Sequence, residues 1–339
     1  MQALLDAIAA MPAPSDACRI FHGRGGRFAG CEQWVLDAYP PVFVLTSFAP
    51  ASEQELATIG LALQARWRQI APGQPLNWVF QHRGEALRME GRSDTRLMAG
   101  GVPDPHVVAE DGARYRVHVL KGQNHGLFLD MAGGRRWVRA HVAAHRARTG
   151  QGARVLNLFA YTCAFSVAAL QAGAAQVVNV DMGRGSIATG QHNHRLNDLD
   201  AGASFLAHDI FSSWGKITRG GPYDLVIADP PSYQKGSFVA AKDYARVMRR
   251  LPDLLAPAGH ALLCLNAPEL GVAFLHDQVR AWAPSLTLVE RVANPPVFAD
   301  IDEDRSLKAL VFRHAAGSTA ALEATPSSAA ACCCRSWQG

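Results

Sequence analysis

The sequence predicts an α/β protein in which a doubly wound, mostly parallel seven-stranded sheet follows a smaller N-terminal α+β domain. Residues 155–181 read as an apolar strand, a turn of small residues, a helix, and a second strand that ends at Asp181. Helical and strand patterns then alternate as far as Phe312, which is typical of a parallel sheet with crossover helices. Residues 1–110 instead combine a few strands with one long helix.

The N-terminal region is predicted to be a small substrate-recognition domain. Residues 18–28 are basic, rich in glycine and punctuated by aromatic residues, so Arg24 and Arg27 are candidates for contacts to nucleic-acid phosphates. A strand followed by a glycine turn, with solvated arginines, explains the same residues. The predicted elements before residue 110 are a helix and Pro-rich linker in 1–17, strands at 42–48 and 78–81, a helix over 53–70, and a linker at 100–105.

Residues 111–150 are predicted to form a β-hairpin and a helix that lead into the second domain. The run Ala113–Leu120 alternates with period two, and Leu127–Asp130 is its expected hairpin partner. A basic amphipathic helix is predicted over 137–147, before Gly150. A Rossmann-like domain is assigned to 151–314, and residues 315–339 are predicted to be a disordered tail.

The second domain is expected to supply the strands of the large sheet in chain order. Asp181 and Asp229 each end an apolar run, as expected at the carboxyl edge of a parallel sheet. After residue 181 the predicted helices are 186–197, 244–255 and 270–281, and the predicted strands are 204–207, 224–229, 260–265, 286–292 and 307–312.

The turn between the first two strands indicates a nucleoside cofactor. Asp181 lies 24 positions beyond Asn157, a range in which a carboxylate can accept ribose hydroxyls. The turn lacks the glycines that a pyrophosphate requires, whereas S-adenosylmethionine carries no phosphate and makes no such demand. An ordinary βαβ unit with a structural aspartate is the alternative.

The motif Asp229-Pro-Pro-Ser-Tyr233 follows the fourth strand. Two consecutive prolines fix a rigid loop that directs a carboxylate, free carbonyls and an aromatic ring to one place. A planar base with N–H groups along its edge fits such a site. A simple turn is the alternative, but Asp181 and Asp209 also follow strands, and this favours a ligand site.

Over residues 110–313 the chain resembles class I S-adenosylmethionine-dependent methyltransferases, and among them the bacterial large-subunit (23S) rRNA methyltransferases that modify cytosine C5 or guanine N7. The similarity rests on four segments: Gln123–Asp130, Leu156–Thr162, Asp229–Tyr233 and Asp302–Lys308. Two departures are Ala132, where a basic residue is common, and the loosely matching N-terminal 110 residues.

The resemblance implies that the segment around Phe128 and Asp130 folds over the cofactor. It also implies that Asp181 binds the ribose, that Asp209 contacts the adenine, and that Asp229 faces the transfer site. The residues expected to bind S-adenosyl-L-methionine are Phe128, Asp130, Asn157, Phe159, Tyr161, Thr162, Asp181, Met182, Asp209 and Ile210; those expected at the transfer site are Asp229, Pro230, Pro231 and Tyr233; those expected to contact substrate are Arg24, Arg27, Arg135, Arg136, Lys235 and Asn266. No metal site is expected.

The sequence favours a guanine nitrogen over cytosine C5 as the methyl acceptor. Methylation at C5 requires a thiolate that adds to the pyrimidine ring. In relatives of the C5 type a cysteine follows the fifth strand, and Asn266 occupies that position here. Cys264 falls inside an apolar run, which is typical of a core residue, and Cys163 falls in the cofactor turn.

The composition of the chain indicates where the protein is located and what kind of partner it binds. The 339 residues contain no run of 18 apolar residues, and the N-terminus lacks a basic region before an apolar one, so neither a membrane span nor a signal peptide is predicted. The scattered cysteines favour a reducing, cytoplasmic location. Residues 131–339 hold 21 Lys/Arg against 16 Asp/Glu, which points weakly to an anionic partner such as RNA, or to solvated helix faces. Two other functions stay open: a methyltransferase for proteins or small molecules, and a catalytically silent RNA-binding module. The sequence does not decide between a monomer and a homodimer.

Overall fold

A computed structural model gives the fold and describes residues 1–84, 94–122, 124–234 and 238–315. The predicted tail, apart from Ala315, and Lys235 lie outside these residues. The helices are α1 (Gln2–Ala10), α2 (Glu53–Ile70), α3 (Ala132–Thr149), α4 (Ala164–Gln171), α5 (Arg184–Leu196), α6 (Trp214–Arg219), α7 (Ala240–Met248), α8 (Leu251–Leu254) and α9 (Val272–Trp282).

The strands form two main sheets and two small hairpins. They are β1 (Cys18–His22), β2 (Trp34–Tyr39), β3 (Val42–Ser47), β4 (Asn77–His82), β5 (Asp94–Ala99), β6 (His106–Glu110), β7 (Ala113–Val117), β8 (Arg154–Leu158), β9 (Gln176–Val180), β10 (Ala203–Leu206), β11 (Tyr223–Ala228), β12 (Tyr233–Gln234), β13 (Phe238–Val239), β14 (Leu255–Leu265), β15 (Leu286–Arg291) and β16 (Lys308–His314). Within the described residues, no helix has the length and apolar character to cross a bilayer.

The N-terminal sheet has the order β1-β2-β3-β4-β5, and only β3 and β4 run parallel. Helix α2 connects these two strands, and it begins with a capping box in which Ser52 and Glu55 satisfy each other's backbone N–H groups. Leu4 of α1 and Leu63 of α2 pack with Phe43 against this sheet in one apolar core.

The large sheet has the order β10-β9-β8-β11-β14-β16-β15. Every neighbouring pair is parallel except those that involve β16, which runs against β14 and β15. The chain leaves β8 toward β9 on one side and later returns to β11 on the other, so a crevice opens where these strands end. The predicted α/β class and the mostly parallel seven-stranded sheet are confirmed.

Helices cover both faces of the large sheet because alternate residues of each strand point to opposite sides. On one face, Leu156 and Val226 share a core with side chains of α6, α7, α8 and α9. On the other face, Val155 and Leu225 pack with α3 and α4. Helix α5 packs against α4.

Two predicted elements differ from the structure. β7 pairs with β6, not with Leu127–Asp130, because Asp111 and Gly112 adopt positive φ and close a tight hairpin between β6 and β7. The helix predicted over 244–255 ends at Met248 and is followed by the short α8, and β14 then begins at Leu255. The domain boundaries stay predictions.

Candidate active site

A cavity of about 510 Å³ lies at the carboxyl edge of the large sheet. It lies where β8, β9, β10, β11 and β14 end, so each strand is followed by residues that line it. This is the size and the position at which doubly wound sheets bind small ligands. The predicted site residues that line it are Phe128, Asp130, Phe159, Tyr161, Thr162, Asp181, Met182, Asp209, Ile210, Asp229, Pro230, Pro231, Arg135 and Asn266.

The loop after β8 holds the Asp181 carboxylate in place. Phe159, Tyr161 and Cys163 all have positive φ, which is uncommon for residues other than glycine and curls the loop tightly. The N–H of Tyr161 donates to Asp181 Oδ2 at 2.8 Å, and the N–H of Gly183 donates to Oδ1 at 2.7 Å. Asp181 is thereby oriented, and each oxygen keeps a lone pair for a ligand hydroxyl.

Close packing behind this loop requires a glycine on α5. A Cβ atom built on Gly190 would lie 2.4 Å from the Sγ of Cys163. The bare backbone at this position therefore lets α5 approach the curled loop.

The wall that follows β10 combines a carboxylate with apolar side chains. Asp209 Oδ1 accepts a hydrogen bond from the N–H of Phe211 at 3.0 Å, which leaves Oδ2 able to accept from a ligand amine. Ile210, Phe211 and the half-exposed Met182 give this part of the cavity a flat apolar lining. Such a lining suits a purine ring.

Residues 124–131, which directly precede α3, form a roof over the cavity. The hydroxyl of Thr162 donates to the carbonyl oxygen of Gly126 at 2.6 Å, and the ring of Phe128 lies 5.3 Å from that of Tyr161. Phe128 is 41% exposed, although it is large and apolar. An exposed aromatic ring at a cavity mouth is typical of a surface that a ligand covers.

The roof is held from the N-terminal sheet by a group that we call the His125 cluster, comprising His125, Gln81, Arg83 and Tyr39. His125 Nε2 lies 3.0 Å from Gln81 Oε1 and 3.1 Å from Arg83 Nη2, and the Tyr39 hydroxyl donates to the carbonyl oxygen of Leu127 at 3.2 Å. Burial and then the Arg83 charge hold the pKa of His125 well below its usual range, so the ring is neutral.

Two carboxylates, those of Asp130 and Asp229, line the cavity. Burial, and then the charge of Asp130, raise the pKa of Asp229 to about 7, while Arg135 opposes the rise. Burial also raises the pKa of Asp130. An aspartate with a pKa near 7 can accept or donate a hydrogen bond at neutral pH.

The loop after β11 is tied to the loop after β14. The Ser232 hydroxyl donates to the carbonyl oxygen of Asn266, and the exposed Asn266 lines the cavity beside it. The fully buried Lys308 donates through Nζ to the carbonyl oxygens of Ala267 at 2.8 Å and Asp304 at 2.7 Å. The two loops therefore form one supported rim.

Two predicted roles are corrected by the structure. Arg135 is buried and donates to both carboxylate oxygens of Glu110 at 2.6 Å, so it is not available to RNA phosphates although it reaches the cavity. Asn157 does not line the cavity, because it is 1% exposed and its Nδ2 donates to Asn179 Oδ1 at 2.9 Å.

Three other residues predicted to contact substrate do not line the cavity; they are Arg24, Arg27 and Arg136. Arg24 and Arg27 are exposed beside β1, which supports the strand and glycine-turn interpretation of the local structure. The guanidinium of Arg24 covers the Phe48 ring at 4.1 Å. Arg136 is exposed and lies 3.5 Å from Asp111. Tyr233 pairs through its backbone with Val239.

Sequence reasoning did not assign a role to three residues of the site. Ser232 joins the two rim loops, Glu110 neutralises Arg135, and Phe211 supplies an aromatic wall. Of these, only Ser232 lay in a segment that the sequence had singled out. The partner of Arg135 comes from a hairpin 25 residues earlier in the chain.

The fold and the site define a doubly wound enzyme that binds a nucleoside cofactor without a phosphate loop. The sequence model of the S-adenosylmethionine-dependent methyltransferases matches residues 18–313. The chain belongs to this family, and its cofactor is S-adenosyl-L-methionine.

Two similar relatives are ribosomal RNA methyltransferases. Ribosomal RNA large subunit methyltransferase I of Aeromonas salmonicida is 27% identical over 300 residues, which are 84% of this chain and 72% of that protein. Ribosomal RNA large subunit methyltransferase K/L of a Psychrobacter species is 35% identical over 191 residues, which are 54% of this chain and 22% of that protein.

A solved methyltransferase complexed with SAH has a similar fold. It is 25% identical and has a TM-score of 0.74 over 92% of this chain and 81% of that chain. A S-adenosylmethionine-dependent methyltransferase from Streptococcus mutans gives a TM-score of 0.73, also at 25% identity.

Proposed function

We propose that this chain transfers a methyl group from S-adenosylmethionine to a base of large-subunit ribosomal RNA, at a guanine nitrogen. The names of its relatives support the RNA substrate. The proposal includes a cytoplasmic location, where bacterial ribosomal RNA is modified.

The position of the cysteines is the observation that favours a nitrogen over cytosine C5 as the methyl acceptor. Cys264 is fully buried in β14, and burial raises the pKa of its thiol well above the usual range. Cys163 is also buried, and its pKa is raised for the same reason. Among the described residues that line the cavity, Asn266 is present at the rim and no thiol is available for addition to a pyrimidine.

The residues around the cavity fit the cofactor. Asp181, held by two backbone amides, would accept the ribose hydroxyls, and Asp209 with Ile210 and Phe211 would hold the adenine. The bound cofactor supplies a methyl group on a sulfonium, which is an activated leaving group.

The chain's own contribution to transfer is to position the base. Pro230 and Pro231 fix the loop that carries Asp229, and Ser232 ties that loop to the rim at Asn266. Asp229 would bind N–H groups along the base edge and so place the acceptor nitrogen. A nitrogen lone pair needs no covalent intermediate, so the rate depends on in-line alignment.

Nucleoside mass spectrometry of ribosomal RNA from a strain that lacks the gene tests this proposal. One methylated guanine should disappear, and the wild-type gene, Cys264→Ser and Cys163→Ser should each restore it, whereas Asp229→Ala should not. Unchanged modification in the deletion strain would contradict the rRNA substrate. Loss of 5-methylcytosine, together with a Cys264→Ser protein that folds and binds cofactor but is inactive, would assign the activity to C5.

A further inference from the structure

A row of exposed basic side chains covers one side of α7 and the turn after it. Lys242, Arg246, Arg249 and Arg250 occupy positions i, i+4, i+7 and i+8, and Arg249 and Arg250 keep helical backbone angles. This spacing places all four on the same side of a helix.

Helix α6 extends this row. It contributes the exposed Lys216 and Arg219, and the Arg250 guanidinium lies 5.6 Å from the ring of Trp214 at the start of α6. We call the six side chains together the basic face; they are Lys216, Arg219, Lys242, Arg246, Arg249 and Arg250.

The acidic side chains on the same helices offset little of this charge. Asp243 is buried, accepts from the N–H of Val239 at 2.9 Å and lies 3.1 Å from Arg246. Asp253 of α8 is exposed. Within the described part of the chain, Arg249 and Arg250 form no ion pair. The basic face therefore presents unneutralised cations to solvent.

Aromatic rings hold three of these arginines in place. The guanidinium of Arg246 lies 3.5 Å from the centre of the Phe211 ring, that of Arg249 lies 3.7 Å from the Trp282 ring, and Arg250 approaches Trp214. A ring covers one face of a guanidinium and leaves its edge N–H groups free to donate. Guanidinium groups held in this way can donate two parallel N–H hydrogen bonds to the oxygens of a phosphate group.

The basic face begins at the cavity. Phe211 lines the cavity and also supports Arg246. Helix α7 starts just after the loop that carries Asp229, and the N–H of Ala240 donates to the carbonyl oxygen of Ser232 at 3.0 Å. A strand whose base enters the cavity would thus leave along this face.

We infer that the basic face binds the phosphate backbone of the RNA substrate next to the target base. The inference rests on the proposed function, since it names the surface that carries the same substrate. It adds a binding surface on α6 and α7 to the arginines near β1 that the sequence suggested.

The test compares three double variants in methylation of an undermethylated large-subunit rRNA fragment and in binding of that fragment at several salt concentrations. Arg249→Gln with Arg250→Gln removes two cations. Arg249→Lys with Arg250→Lys keeps them. Arg148→Gln with Arg195→Gln is the control, because these exposed arginines lie on α3 and α5, over the opposite face of the sheet.

The glutamine pair on the basic face should weaken RNA binding about tenfold or more at low salt. It should also reduce the slope of log affinity against log salt by about 1.4–1.8, because each lost phosphate contact removes about 0.7–0.9. Both kcat at saturating RNA and S-adenosylmethionine affinity should stay unchanged. The lysine pair should keep the salt slope of the wild type but lose part of the affinity, because lysine cannot form the stacked guanidinium contact. The control pair should stay within about threefold of the wild type.

The outcomes separate this inference from the proposed function. A wild-type protein that neither binds nor methylates the fragment would contradict the proposed function itself. If the wild type is active and the glutamine pair keeps its RNA affinity and salt slope, the basic face is not the RNA surface. An equal loss in the control pair would show a general charge effect and would also overturn the inference.

Discussion

Replacing Asp229 with asparagine should stabilise the protein increasingly as the pH rises from 5 to 8, and it should slow methyl transfer. Burial and the neighbouring Asp130 raise the pKa of Asp229 from 3.8 to about 7. The unfolded chain loses this proton near pH 3.8, whereas the folded chain loses it only near pH 7. The ionised carboxylate therefore destabilises the folded state by an amount that grows between these two values and is complete above them.

The size of the effect follows from the pKa. At 1.36 kcal/mol per pKa unit, the full penalty is about 4 kcal/mol. Asparagine has nearly the same shape and carries no charge, so its advantage in free energy of unfolding should grow by about 2–3 kcal/mol between pH 5 and pH 8. Loss of base positioning should reduce the transfer rate by about a hundredfold or more.

Urea-induced unfolding of the wild type and Asp229→Asn at pH 5, 6, 7 and 8 measures this difference. Asp253→Asn is the matched control, because water already solvates that exposed carboxylate on α8; its effect should not grow with pH. A difference for Asp229→Asn that is the same at pH 5 and pH 8 would refute the argument that Asp229 ionises against burial and a like charge.

Three other changes test the supports of the cavity. Asp181→Ala should weaken S-adenosylmethionine binding by about 1.5–3 kcal/mol in calorimetry, because a charged hydrogen-bond acceptor is lost; unchanged affinity would remove it from the site. Gly190→Ala should lower the free energy of unfolding by about 1–3 kcal/mol through the clash with the cysteine thiol described above. Gly185→Ala on the same helix should be neutral or stabilising, because a Cβ atom added there would have no non-bonded neighbour within 4 Å. Equal losses of stability in the two variants would rule out the clash. Arg135→Met should cost about 3–5 kcal/mol in urea unfolding because Glu110 stays buried without its partner; a second change of Glu110→Gln should recover part of this loss, and no recovery would contradict the pairing.

The strands of the large sheet could be predicted because most of them are short apolar runs, and a polar residue directly follows β9, β11 and β14. Asp181, Asp209 and Asp229 could be placed together for the same reason, since parallel strands end at one edge. The β6–β7 hairpin was missed because the alternation after Ala113 continues to Leu120 and directed the expected pairing forward. The Asp111-Gly112 turn was the signal that marked the correct partner.

Residues whose role depends on distant partners could not be assigned from the sequence. Arg135 lies in a basic helix, and its sequence context suggests that it could bind phosphate. In the structure it instead forms an ion pair with Glu110 of the β6–β7 hairpin. Asn157 lies in a strand that is buried on both faces, so its pattern does not tell which way the side chain points. The spacing of Arg246 and Arg250 is visible in the sequence, but the aromatic rings beneath them come from outside α7.

The His125 cluster constrains how related enzymes could exchange their N-terminal regions. The roof over the cavity belongs in sequence to the methyltransferase half, yet Gln81, Arg83 and Tyr39 of the N-terminal half hold it. A foreign N-terminal module grafted before residue 118 would leave His125 buried and unpaired. We therefore expect a productive exchange between relatives to transfer the roof together with the N-terminal sheet that contacts it.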